Sequence, residues 1–318
     1  MGTSKGRFVQ SSFNAGEISP LLYSRFDLEK YKNSCIELRN FITYPQGPAT
    51  FRSGAKYITT AKPTINPIWT GVDPRTSSFN GNWMAIAWSP SLRLFVLLPH
   101  GTSGVNTVLT SEDGITWTPN TVTISRTAVW ESCVWAEELG LFIAVASNSN
   151  DNGKRVMSSA DGVNWYEQTM SDTKAWHSVC WSSSLRLLVA VADNASGTNC
   201  IMTSPDGVIW TTRTAPEASA WTEVIWAEEL TKFIAVAETG TQRAMYSADG
   251  ITWTGVTITG DSRNWKSVAW SPSLTRLVAV ANDGVSPRAI YSSNGTSWTD
   301  GGTVPYYEWE KIIWSEEM

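Results

Sequence analysis

The sequence predicts an all-β protein: a β-propeller of four-stranded blades, five complete and a sixth partial, preceded by a small mixed α/β segment. Three observations predict it. A tryptophan pair spaced W-x4-W recurs at Trp83/Trp88, Trp130/Trp135, Trp176/Trp181, Trp221/Trp226, Trp265/Trp270 and Trp309/Trp314, in steps of 47, 46, 45, 44 and 44 residues. Each of the first five pairs is followed by a polar turn and an apolar run, at residues 94–98, 141–146, 187–192, 233–237 and 277–281. The pattern S-x-D/N-G-x-x-W then closes each unit, at residues 111–117, 159–165, 204–210, 247–253 and 292–298.

Each element has a physical reason. The W-x4-W stretch and the apolar run read as the first two strands of a unit. The third strand enters the turn at the serine. Asp113, Asp161, Asp206, Asp249 and Asn294 fold their side chains onto nearby backbone N–H groups, and Gly114, Gly162, Gly207, Gly250 and Gly295 supply the positive φ that a tight turn needs. Trp117, Trp165, Trp210, Trp253 and Trp298 land on the fourth strand and fill the gap between neighbouring sheets. Four antiparallel strands every ~45 residues make a propeller blade.

The flanks extend the count. Trp69 lies 48 residues before Trp117, so residues 68–70 read as a lone outermost strand of another blade, and residues 308–318 as a lone innermost strand with its turn. The turn after the tryptophan pair alternates between a serine-rich form (residues 89–92, 182–185, 271–274) and a Glu-Glu form (Glu137/Glu138, Glu228/Glu229, Glu316/Glu317). That alternation points to a duplicated two-blade unit and an even total, with the polypeptide expected to continue past Met318.

Composition narrows the function. The chain has 318 residues, 17% charged and 42% hydrophobic, which excludes wholesale disorder. Charge and tryptophan divide it into two domains. Residues 1–65 hold nine Lys+Arg against four Asp+Glu, a balance of +5, whereas residues 66–318 hold fifteen against twenty-five, a balance of −10, and all eighteen tryptophans. No apolar run reaches membrane-spanning length, so no membrane anchor is expected. Cys35, Cys133, Cys180 and Cys200 have no C-x-x-C spacing and read as buried free thiols. Two histidines, His100 and His177, give little material for a metal site or a proton relay.

The basic segment has its own pattern. Leu28, Tyr31, Cys35 and Leu38 recur at helical spacing behind Asp27, which predicts a short helix near residues 27–38. Residues 41–44 and 49–52 read as strands around a Pro-Gln-Gly-Pro turn. Phe13, Ala15, Gly16, Glu17, Ser19, Pro20, Leu22, Arg25 and Asp27 spell F-x-A-G-E-x-S-P-x-L-x-x-R-x-D, followed by Tyr31, Leu38, Asn40, Gly47, Arg52 and Gly54. This stretch resembles the N-terminal region of tail proteins of tailed bacteriophages, including the nozzle (tail tubular protein B) family. The repeats resemble the Asp-box (BNR) repeats of sialidase-like propellers, a likeness specific for fold and not for activity.

The phage resemblance implies a structural virion protein. It would be a nozzle or tail-hub component, forming a homo-oligomeric ring below the head-tail connector through which DNA passes. Its partners would be adaptor, spike or fibre proteins, and it would be assembled in the host cytoplasm. An acidic propeller suits such a conduit, because like charge keeps DNA from sticking. In that reading Phe13, Gly16, Glu17, Pro20, Arg25, Asp27, Tyr31, Leu38, Asn40 and Arg52 are the assembly handle. The alternative is a spike or fibre propeller that binds host-surface glycans.

Catalysis is not expected. A sialidase needs three arginines and a Tyr–Glu couple, its Arg-Ile-Pro signature is absent, and the ten propeller arginines fall without visible pattern. The Asp-box carboxylates read as turn caps, and the Glu-Glu pairs as solvated turn residues. No cofactor or metal is expected.

Overall fold

The computed structural model describes residues 83–100, 107–122, 129–148, 155–168, 174–193, 197–258, 263–283, 288–302 and 309–315, and the backbone of residues 16–17, 34–35, 41–42 and 50–51. The chain divides into two compact units, Met1–Gly71 with Glu317–Met318, and Val72–Glu316. In the first, Phe41–Ile42 pairs antiparallel with Thr50–Phe51, the two strands expected around the Pro-Gln-Gly-Pro turn. Ser34–Cys35 is extended, where periodicity predicted helix, and pairs in parallel with Gly16–Glu17. Backbone pairing at Ser34 and Cys35 overrides a weak helical preference, since neither is a strong helix former. Phe13, Pro20, Arg25, Asp27, Tyr31, Leu38, Asn40, Arg52 and residues 68–70 lie outside the described residues.

The second unit is a β-propeller with five antiparallel four-stranded blades, each in simple up-and-down order. Blade 1 is Trp83–Ser89, Leu94–Pro99, Thr107–Ser111 and Thr118–Thr121. Blade 2 is Val129–Ala136, Leu141–Asn148, Val156–Ser159 and Tyr166–Gln168. Blade 3 is Ala175–Ser182, Leu187–Asp193, Ile201–Ser204 and Thr211–Arg213. Blade 4 is Trp221–Ala227, Lys232–Ala237, Ala244–Ser247 and Thr254–Val256. Blade 5 is Trp265–Ser271, Arg276–Ala281, Ala289–Ser292 and Thr299–Asp300.

Neighbouring blades are joined along their first strands. Ser132 Oγ accepts Val179 N–H at 3.2 Å, Ser178 Oγ accepts Val224 N–H at 3.1 Å, and Ser267 Oγ accepts Ile312 N–H at 3.0 Å. Between blades 4 and 5 the Glu223 carboxylate takes the serine's place, accepting Val268 N–H at 2.8 Å. At each of these four junctions one side chain thus satisfies a backbone donor that the pleat would strand in an apolar seam, whereas blade 1 has Ala85 at that position. Trp130, Trp176, Trp221 and Trp265, the first of each pair, are fully buried there.

The turn glycines close the outer part of the same seams. A Cβ on Gly162 would stand 2.8 Å from Val96, on Gly207 2.5 Å from Ile143, on Gly250 2.7 Å from Leu187 and on Gly295 2.3 Å from Ile234, each in the preceding blade. Gly114, in blade 1, meets only Phe95 of its own blade, at 3.5 Å. Ile86 is 55% exposed, whereas its counterparts Val179, Val224 and Val268 are buried.

Residues 309–315, expected as a lone innermost strand, follow the path of one without being one. Ile312 takes the place held by Val179, Val224 and Val268 in earlier junctions, through both its N–H and its carbonyl to Ser267 Oγ. Among the described residues no second strand pairs with it, so no ladder forms.

Candidate functional site

In an up-and-down blade the turn after the first strand and the turn after the third lie at the same end. That end carries the sequence-predicted residues. Asp113 Oδ1 accepts the N–H groups of Ile115 and Thr116 at 2.8 and 2.7 Å and the Ser111 hydroxyl at 3.0 Å. Asp161, Asp206 and Asp249 repeat this set. Asn294 does the same with a neutral oxygen, accepting from Thr296 and Ser297 N–H at 2.9 and 3.1 Å. The glycines sit at φ between +71° and +75°. Trp165, Trp210 and Trp253 return their indole N–H to the carbonyls of Gly162, Gly207 and Gly250. Backbone N–H bonds from Thr116 and Ile115 hold the Asp113 carboxyl down at about 2. At Asp161 burial pushes upward, but the N–H and side-chain bonds of Asn164 and the N–H of Val163 outweigh it, again to about 2. The same bonds lower Asp206 and Asp249 against their burial. Oδ1 of each aspartate is taken up by its own turn, and the turns bring no two acids together. Among the described residues no three metal-ligating groups assemble.

The Glu-Glu turns hold more than water. Trp135 donates its indole N–H to Glu137 of its own blade, and Trp181 of the next blade donates to Glu138 at 2.5 Å. Trp226 and Trp270 repeat this with Glu228 and Glu229, the latter at 2.5 Å. One Glu-Glu turn therefore serves two blades, and the blade between has no need of carboxylates. This is the physical content of the two-blade alternation: the glutamates are exposed turn residues, as expected, and they also accept the indoles.

The opposite end is where the repeat varies. In all five blades the pairing register slips after the first tryptophan, leaving Met84, Glu131, His177, Thr222 and Lys266 out of the ladder. A bulge of this kind re-aims a side chain. The last positions of the second strands face these residues, and cross-pairing follows. His100 Nε2 lies 3.6 Å and Ser147 Oγ 2.5 Å from Glu131 Oε1. His177 Nε2 lies 3.9 Å from Asp193. Lys266 pairs with Glu238 of the preceding blade, and Asn282 donates to Glu310 at 2.8 Å. Nothing in the fold requires a particular residue at the bulge, and both histidines stand in this rim.

The same end corrects the reading of the arginines as unpatterned. Arg155, Arg243 and Arg288 occupy one blade position, just ahead of the third strand. Their carbonyls accept from Ala146, Ala237 and Ala281, as the carbonyl of Cys200 does from Ala192 in blade 3. Arg155 donates to Ser147 O at 2.7 Å and Arg243 to the equivalent Glu238 O. Each lies four residues before the Asp-box serine, a spacing that was countable in the sequence. Cys133, Cys180 and Cys200 are free thiols. Burial raises all three, with Cys200 brought up to about 11 against the pull of Lys174 and the Trp221 indole.

No known protein family and no curated protein matches the chain. Solved β-propellers do. Selenomethionine-substituted virginiamycin B lyase from Staphylococcus aureus superposes with a TM-score of 0.58 at 11% identity over 70% of each chain. A catalytically inactive form of that lyase with quinupristin gives 0.61 at 10% identity, over 74% of this chain and 75% of the other. The GH74 enzyme of Niastella koreensis gives 0.55 at 19% identity, over 69% of this chain and 38% of that one. The likeness is one of fold, and it includes enzymes of two unrelated chemistries.

Proposed function

We propose that this chain is a structural component of a bacteriophage tail, in which the propeller is a rigid, acidic scaffold and residues 8–58 attach it to its neighbours. The observation that carries the scaffold half is the fate of the repeated polar residues. Every Asp-box oxygen named above is spent on its own turn, and the Glu-Glu carboxylates are spent on indoles. The tail half rests on the resemblance carried by Phe13, Gly16, Glu17, Pro20, Arg25 and Asp27. A nozzle or hub ring is the form this reading favours over a glycan-binding spike. The test is a deletion of residues 1–60 in the genome that encodes the chain. The expected outcome is particles that lack the protein or leak DNA, while the purified deletion product keeps a β-rich circular dichroism spectrum. Infectious particles at normal titre would reject the proposal.

Catalysis is the second reading, favoured by one observation: the bulged rim gathers His100, His177, Glu131, Asp193 and Lys266 at one end of a fold that a lyase and a glycoside hydrolase also use. Turnover of a glycoside or of quinupristin that disappears in His177→Ala at unchanged Tm would establish it.

A further inference from the structure

The turn end of the propeller exposes aliphatic side chains that the fold does not use. The residue after each Asp-box glycine is Ile115, Val163, Val208 or Ile251 in four blades, 65%, 40%, 47% and 50% exposed, and Ile209 beside Val208 is 68% exposed. The turn needs only their backbone N–H groups, which donate to the aspartates. Any residue could supply that donor, and in blade 5 Thr296 does. A second set repeats nearer the axis, at the turns after the first strands. Leu92, Leu185 and Leu274 give their N–H groups to Ser89, Ser182 and Ser271 and leave their side chains 43%, 42% and 57% exposed. These aliphatic groups recur at equivalent turn positions on one end and have no role in the turns that carry them, which leaves them free to meet a partner.

The charge at that end identifies the occupant. It holds Asp113, Asp161, Asp206 and Asp249 and the Glu137/Glu138 and Glu228/Glu229 pairs, against exposed Arg93, Arg186 and Arg276. Two copies meeting through this end would oppose carboxylates to carboxylates, which disfavours self-association. We propose that the Asp-box end of the propeller docks a partner protein through a surface of lysine or arginine interspersed with apolar side chains. The aliphatic groups supply the desolvated contact and the surrounding carboxylates supply orientation. The proposal rests on exposed side chains alone and holds for a tail scaffold or an enzyme equally.

The test uses the full chain and a synthetic peptide of alternating lysine and leucine, with glutamate–leucine and lysine–serine peptides as controls. Binding is read by interferometry, and the oligomeric state by light scattering. The lysine–leucine peptide is expected to bind, more weakly as salt rises, and both controls to bind at least tenfold less. The triple variant Ile115→Ser, Ile209→Ser, Ile251→Ser should keep its melting temperature and lose about tenfold in affinity. A second variant, Asp161→Asn, Asp206→Asn, Asp249→Asn, keeps turns of the Asn294 kind and should flatten the salt dependence. The proposal is overturned if the serine variant binds undiminished or if the glutamate–leucine peptide binds as tightly. It is also overturned if the wild type is a dimer that the serine variant dissolves, which would make a second copy the occupant.

Discussion

Replacing Gly207 with alanine tests how the blades are held together, and Gly114→Ala is its internal control. Both glycines occupy the same turn position, at φ +75° and +71°. In each, an L side chain in the left-handed region costs about 1–2 kcal/mol. The surroundings differ. The new Cβ at residue 207 would stand 2.5 Å from Ile143 Cδ1, a fully buried atom of the preceding blade, whereas at residue 114 the nearest atom is Phe95 at 3.5 Å. Overpacking adds roughly 1–3 kcal/mol at residue 207 only. The expected totals are about 2–5 kcal/mol for Gly207→Ala and about 1–2 kcal/mol for Gly114→Ala. For a domain of this size that separates melting temperatures by roughly 2–12 °C. Differential scanning calorimetry of the two variants beside wild type is the assay. Equal losses would rule out an inter-blade clash at residue 207, because the backbone strain alone would then account for both.

Three further outcomes follow from the same contacts. Ser178→Ala strands the buried Val224 N–H and should cost about 1–3 kcal/mol, measured by urea unfolding against Ser91→Ala, whose hydroxyl makes long side-chain bonds to Ser89 at 3.3 Å and Glu137 at 3.4 Å and holds no backbone N–H. Glu138→Ala frees the Trp181 indole of the next blade and should cost about 1 kcal/mol, with hydrogen exchange at that indole N–H accelerated. Acid sensitivity follows from the Asp-box carboxylates. Their folded-state values are depressed, so the stability they give is present above the ordinary aspartate value near ~4 and is lost as pH falls towards about 2. The triple Asp→Asn variant should therefore melt with less pH dependence between about 4 and about 2, and a slope equal to that of wild type would contradict this.

What the sequence revealed and what it hid have physical reasons. Asp206 and Gly207 were legible because their chemistry is local: acceptor and donors lie within three residues of one another. Trp176 and Trp221 were legible as core because a buried aromatic must recur once per blade. Glu138 showed as an alternation without a cause, since its indole partner lies 43 residues away in the next sheet. The bulge at His177 left no trace, because a register slip is a property of a strand pair and the residues displaced share no chemistry. Arg155, Arg243 and Arg288 were countable, four residues before the Asp-box serine, but Thr107 and Cys200 hold that position in the other two blades and broke the series. Ser34 and Cys35 misled, because their helical spacing competes with backbone pairing to Gly16 and Glu17.

The proposal is that this chain is a built part of a phage tail. Quantitative mass spectrometry of purified, nuclease-treated particles from the encoding genome tests it most directly. The chain is expected in every preparation, at a fixed copy number relative to the portal protein and retained through density-gradient purification. Its absence from particles, with the protein recovered only in the soluble lysate, would rule out the tail role and leave the bulged rim with its two histidines as the place to look for an activity.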